Sequence, residues 1–339
     1  MTALTHSSSM PPPKARPGIP FSRAAAKAAT LDGAAAHAAT EERTQLRMTW
    51  DAFSGHRAAY VSLFVMLTLT AACIFLPLVL PWSSTQVDFD VLAATPPSMA
   101  HPLGTDAIGR DVLARLMEAG RISLLIGLSV ALLSATVGAT IGMLQGFYGG
   151  AVDTRLGWLV NILMTIPPLP LLIAMSSVVN SEGSRAGDLL GAVPAQWRII
   201  FIMSLLGWMA ISRVVRSQVV SLRQREFVEA SIALGAHDRR VMLVHVLPNT
   251  VSVLAVFTTL AVATAILGES TLSFLGLGVA LPTPTWGNML LDARDVFTAV
   301  QYWWLTWFPA ALILVSVLCV NFIGDGLRDA FDPKAARAR

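Results

Sequence analysis

Of 339 residues, 54% are hydrophobic and only 13% are charged, and the mean hydropathy is +0.62. A soluble domain carries about a quarter charged residues, so this composition excludes an ordinary water-soluble domain and describes an all-α polytopic membrane protein. The basic excess is small and scattered around apolar runs, which argues against nucleic acid as a partner. Cys73 and Cys319 both lie inside apolar runs and support neither a disulfide framework nor a zinc site.

In chain order, the first 57 residues form a Pro-, Ala- and Ser-rich tail whose composition over Met1 to Thr40 reads as disordered. A secretory signal would start with a short basic region just before its apolar core, and that pattern is absent here. Six stretches then reach the roughly 20 apolar residues that a bilayer crossing needs. They are Ala58–Pro81, Ile122–Gly146, Leu156–Val179, Ile199–Val220, Thr250–Gly268 and Tyr302–Gly324. This gives a membrane domain over 58–324 with a polar loop at 221–249, and a short tail over 325–339. Arg213 and Arg216 fall in the last two turns of the fourth span and are expected to snorkel to the interface.

With the N-terminus inside, 18 of the 24 lysines and arginines fall on inside segments and 6 on outside ones. The positive-inside rule therefore places both termini and the 221–249 loop in the cytoplasm. Tyr302, Trp303, Trp304 and Trp307, with Trp82, are then expected as an interfacial aromatic belt. Apart from the two arginines, the six predicted spans hold no Asp, Glu, Lys, Arg or His. Proton-driven carriers usually keep such a residue at membrane depth, whereas sodium coupling through backbone carbonyls stays open. The three lysines, Lys14, Lys27 and Lys334, follow no phosphate-cradling glycine pattern. If the chain moves solute uphill, the energy is expected from a partner.

The loop Ser221–Asn249 reads as two short helices. Ser221 is a candidate N-cap for the first, whose apolar positions are Leu222, Phe227, Val228, Ile232 and Leu234. Gly235 stands where a helix end needs a left-handed residue. Asp238 is a candidate cap for the second helix, and Pro248 suits the first turn of the fifth span. The residues alone permit two readings: an amphipathic linker on the membrane surface, or a rigid lever fitting a groove on a cytoplasmic protein.

Glu229, Ala230, Ser231, Gly235 and Leu247-Pro248 resemble the EAA loop of ABC-importer permeases, with Ser231 for the second alanine and His245 for the isoleucine. Three further stretches resemble the peptide, oligopeptide and nickel permease family, in its C-type branch. They are HPLGTDAIGRDVLARLMEAGRISLLIG from His101, LSFLGLGVALPTPTWGNML from Leu272, and NFIGDGLRDAFDPK from Asn321. Read without the resemblance, GTDAIGRD is a capped turn held by Asp106 and Asp111. LGLGVALPTPTWG is likewise a non-helical path forced by glycine and proline.

The resemblance implies a type I ABC importer permease fold of six transmembrane helices in a bacterial inner membrane. It implies a homologous second permease, two ATP-binding subunits and an extracytoplasmic solute-binding protein as partners, with the lipid bilayer around them. ATP and Mg would be bound by the ATPase subunits; this chain would have no catalytic residue, cofactor or metal of its own. Arg225, Glu226 and Glu229 would make polar contacts with the ATPase, Ala230 and Leu234 would pack into its groove beside Ser231, and Gly235 would keep the lever stiff. Peptide is the implied cargo; a nickel chelate, glutathione or another peptide-like solute is the alternative, and a stand-alone secondary carrier is the rival reading. Met143, Met164 and Met175 read as packing residues.

Overall fold

The computed structural model describes residues 47, 49–91, 94–180 and 192–331. The N-terminal tail read as disordered and the residues after Phe331 lie outside that range almost entirely. The stretch up to Thr49 and the body from Trp50 onward form separate units, and every candidate membrane-spanning helix belongs to the second.

The described body is built of helices and loops, with two isolated β-bridges, Val87 to Arg110 and Thr105 to Asp111. Five helices are long and apolar enough to cross a membrane, and the number rises to six when a bent pair is counted as one span. Helix α1 is Arg57–Phe75, α2 Val112–Tyr148, α3 Gly150–Thr165, α4 Pro168–Asn180 and α5 Ala195–Arg223. Helix α6, Glu226–Ala233, lies in the polar loop. Helix α7 is Leu247–Phe274, α8 Trp286–Met289, α9 Val296–Gln301 and α10 Trp303–Phe331.

The predicted spans are all present but mostly too short. Helix α2 runs 37 residues, about 55 Å at 1.5 Å per residue, well beyond a hydrocarbon core of about 30 Å. Its early start is set by Asp111, whose carboxylate accepts the Ala114 N–H at 2.7 Å. The third crossing is not one straight helix: α3 and α4 meet at 87°. Ile166, ahead of Pro167 and Pro168, is extended with ψ 124°, the conformation that a following proline imposes. Helix α10 continues past Gly324 to Phe331, so the boundary expected at 325 falls inside a helix.

The bundle is held by close approach of α2 to α5. Gly138, Gly142 and Gly146 recur every fourth residue on α2, so they share one face. A Cβ on Gly142 would stand 2.5 Å from the Ser212 carbonyl oxygen, and one on Gly138 2.7 Å from that of Trp208. In lipid there is no hydrophobic drive between helices, and small residues allow the backbone approach that dispersion needs. Around this seam, Ala135, Ala139, Ile211, Val215 and Val219 are buried.

At the bundle end remote from α6, residues 82–91 and 94–111 fold over the helices. Asp106 accepts from the N–H groups of Ile108 and Arg110 and pairs with the Arg110 guanidinium at 2.7 Å, which is the capped turn expected there. His101 is fully buried between Asp111, at 2.8 Å, and Asp88, at 3.3 Å. The aromatic belt splits in two. Trp303 and Trp307 are exposed, but Trp304 is buried and donates its indole N–H to the Thr105 carbonyl at 3.1 Å. Trp82 is half-buried against the His101 ring.

The spans are also not free of ionisable groups beyond two arginines. Glu269 sits inside α7, one residue past the predicted span end, and is fully buried. It accepts from the hydroxyls of Ser273, at 2.6 Å, and Ser123 on α2, at 3.4 Å. The same Ser123 oxygen accepts the N–H of Trp286, a fully buried side chain on α8. The carboxylate thus ties α2, α7 and the segment after α7 together. That segment, Leu275 to Pro284, is non-helical, as its glycines and prolines demand, and ends in a capping box between Thr285 and Asn288. Met143 and Met175 pack at the edges of apolar clusters, whereas Met164 is 39% exposed.

Candidate coupling loop

Helix α5 does not stop at Ser221. It continues to Arg223 because Leu222 is buried against Val219 and Val228, so Ser221 is a helical residue and caps nothing. After one turn, α6 starts from Arg225, which is extended at φ −83° and ψ 140° and offers no side-chain cap. Its carbonyl accepts the N–H groups of Val228 and Glu229, at 3.0 and 3.1 Å. Glu226 and Glu229 occupy the first turn, where negative charge suits the helix dipole.

The helix ends as the glycine position predicts. Gly235 has φ +81°, a left-handed conformation that other residues adopt only with strain. The Gly235 N–H reaches the Ile232 carbonyl at 2.9 Å and the Ala236 N–H reaches that of Ser231 at 3.2 Å, the paired bonds of a Schellman motif.

The chain then re-enters helix at Asp238, preceded by His237 in the cap position, so the expected Asp238 cap is absent. Nor is the second loop helix separate from the fifth span: Asp238 to Phe274 is one helical run. Its six residues Val241–Val246 wind as a π-helix just ahead of Pro248. Proline lacks the N–H for an i−4 bond and its ring displaces the carbonyl it would have met, which accounts for the wider local pitch.

One residue pins α6 to the bundle. Val228 is fully buried among Leu222, Val241, Met242 and Val246, and it is the only residue of α6 so placed. Arg225, Glu226, Glu229, Ala230, Leu234 and Gly235 are exposed and Ser231 is half-exposed. Leu234 is 89% exposed at the tip, and Phe227 stands edge-on to His245 with ring centroids 6.5 Å apart. The structure thus brings all seven sequence-predicted residues onto one short projection. No ion pair within the chain engages the loop's charges among the described residues. Nor do those residues hold a His, Cys, Asp and Glu grouping fit for a metal ion.

A second polar cluster escaped the sequence reading. Arg216 does not snorkel; it turns sideways onto Asp153 of α3 through two bonds of 2.5 Å. Arg213 donates to the Asn161 side-chain oxygen at 2.7 Å. An acid and an amide spaced eight apart, in a chain this poor in charge, were the available signal.

A bundle of five or six candidate spans with an exposed helical projection ahead of α7 describes a multi-pass membrane protein. The family described as binding-protein-dependent transport system inner membrane component matches residues 138–337. The description N-terminal TM domain of oligopeptide transport permease C matches residues 44–97. The chain belongs to the first of these families and is a permease of an ABC importer system. It is 41% identical over 283 residues to a Brucella suis protein named as a peptide permease, covering 84% of this chain and 89% of that one. It is 36% identical over 287 residues to the oligopeptide transport system permease protein OppC of Mycobacterium tuberculosis, covering 85% and 94%. The OppC of Haemophilus influenzae is 35% identical over 283 residues, covering 83% and 86%.

Proposed function

We propose that this chain forms half of the translocation path of an ATP-driven peptide importer and receives its driving motion through α6. The observation that carries the reading is the anatomy of that helix: one buried residue, Val228, and a stiff, exposed remainder with unpaired charges. Phe227 and Leu234 are exposed on the same short projection as Glu226 and Glu229, so apolar and charged groups are offered together to a partner. In this reading Glu226, Glu229 and Arg225 make polar contacts with an ATPase, and Ala230 and Leu234 pack into its groove. A ligand-driven shift requires a partner with differential affinity for two states, and a capped rigid element transmits it.

The surrounding assembly is a second permease, two ATPases that bind ATP and Mg, and an extracytoplasmic binding protein. Both termini and α6 face the cytoplasm of a bacterium, whose inner membrane the bundle crosses. Peptide as cargo is supported by the names of the relatives. Uptake by proteoliposomes containing the whole complex tests it: labelled di- or oligopeptide accumulates only with internal ATP and loaded binding protein. Accumulation without the ATPases would instead establish a stand-alone carrier.

A further inference from the structure

Arg213 and Arg216 mark one face of α5, toward α3. Arg213 lies ten residues from the α5 end at Arg223, about 15 Å along the helix. It is exposed, as is 42% of the Arg216 side chain. With Gln145 and Trp158 these arginines line a cleft of about 560 Å³ between α3 and α5, floored by Asp153 and Asn161. Further along the same two helices lies a second, apolar cleft of about 690 Å³, lined by Leu163, Met209 and residues of α7. A face with exposed guanidinium groups below and an apolar groove above suits an aqueous route for an amphipathic solute and does not suit acyl chains.

The charge in the lower cleft is unbalanced. Asp153 is committed to Arg216 by two bonds, which leaves that pair neutral. Arg213 has only the uncharged Asn161 oxygen, and no carboxylate lies within ion-pairing distance of it among the described residues. A guanidinium presents a planar fork that matches a carboxylate in two-point fashion. We infer that Arg213 is the carboxylate-recognition residue of the solute path, taking the free C-terminal carboxylate of a peptide in transit while the apolar cleft accommodates its side chains. This rests on the peptide reading above and deepens it. The Arg216 and Asp153 pair holds α3 against α5 and keeps the fork of Arg213 aimed into the cleft.

The test compares uptake of a peptide with uptake of its C-terminal amide by the full complex in proteoliposomes, wild type against Arg213→Gln and Arg213→Lys. Taking the mutant-to-wild-type ratio for each peptide cancels any preference of the binding protein. In Arg213→Gln the ratio should fall at least tenfold for the free acid and stay near one for the amide, with assembly and ATP hydrolysis retained. Arg213→Lys should restore most of the free-acid uptake. Equal loss for both peptides, or no loss for either, overturns the inference while leaving the peptide reading intact. Loss of the second permease on purification of Arg213→Gln also overturns it, since the residue would then face that subunit. Wild-type complex that carries no peptide at all would overturn both.

Discussion

Replacing Gly235 by valine isolates the stiffness of the loop. A Cβ at this position meets nothing within 4 Å, so no clash contributes and the cost is conformational. Holding an L-residue at φ +81° costs about 1–2 kcal/mol, and more for a β-branched one. Leaving that conformation instead forfeits the two bonds to the Ile232 and Ser231 carbonyls, at about 1 kcal/mol each. Either route shifts the population of the intact loop by roughly 5- to 30-fold. Insertion and bundle packing should be unaffected, because the residue is exposed. In proteoliposomes bearing the whole complex, peptide moved per ATP hydrolysed should fall about tenfold for Gly235→Val. Gly235→Asn should fall much less, because asparagine tolerates the left-handed region. Wild-type coupling in Gly235→Val, or equal damage from asparagine, would refute the reasoning.

Gly142→Leu should abolish recovery of monodisperse protein by gel filtration, since its Cβ would stand 2.5 Å from the Ser212 carbonyl and overpacking costs about 1–3 kcal/mol or more. Gly157→Ala is the matched control and should behave as wild type, its Cβ meeting only Gln145 at 3.5 Å. Glu269→Leu leaves the Ser123 and Ser273 hydroxyls without their acceptor and should lower the unfolding midpoint in detergent, at about 1–3 kcal/mol per stranded group. Glu269→Gln keeps an acceptor oxygen and should lie between leucine and wild type. The Asp295 carboxyl is held below its usual range by the Thr298 hydroxyl first, then by backbone N–H groups. Its contribution to capping α9 is therefore full above pH 3.8, the ordinary value, and is lost as pH falls through the lowered one. Hydrogen exchange at Phe297 and Thr298 should accelerate only in that acid range.

The crossings were legible because a hydrocarbon solvent enforces apolar length, and length is readable. Their ends were not. Asp111 caps α2 well outside the apolar run, and Glu269 is tolerated inside α7 only because Ser123 and Ser273 come from two helices to meet it. The 87° break was foreshadowed by Pro167 and Pro168, yet apolar composition across Leu156–Val179 concealed it. In the loop, Gly235 and Pro248 behaved as local chemistry requires. Ser221 and Asp238 did not, because burial of Leu222 and Val241 extended the neighbouring helices over them. The glycine seam at 138, 142 and 146 is visible in the sequence as a four-residue spacing, but which helix it faces depends on the fold. The pairing of Asp153 with Arg216, across sixty-three residues, belongs to tertiary structure alone.

The most direct test of the account is site-specific crosslinking from Leu234 in membranes that contain the assembled complex. A photoreactive residue at this exposed tip is predicted to capture an ATP-binding subunit, with a yield that changes when ATP is trapped and drops in Glu229→Ala and Gly235→Val. Capture of lipid alone, unaltered by nucleotide, would show that α6 lies on the membrane surface and contradict its role as the coupling element.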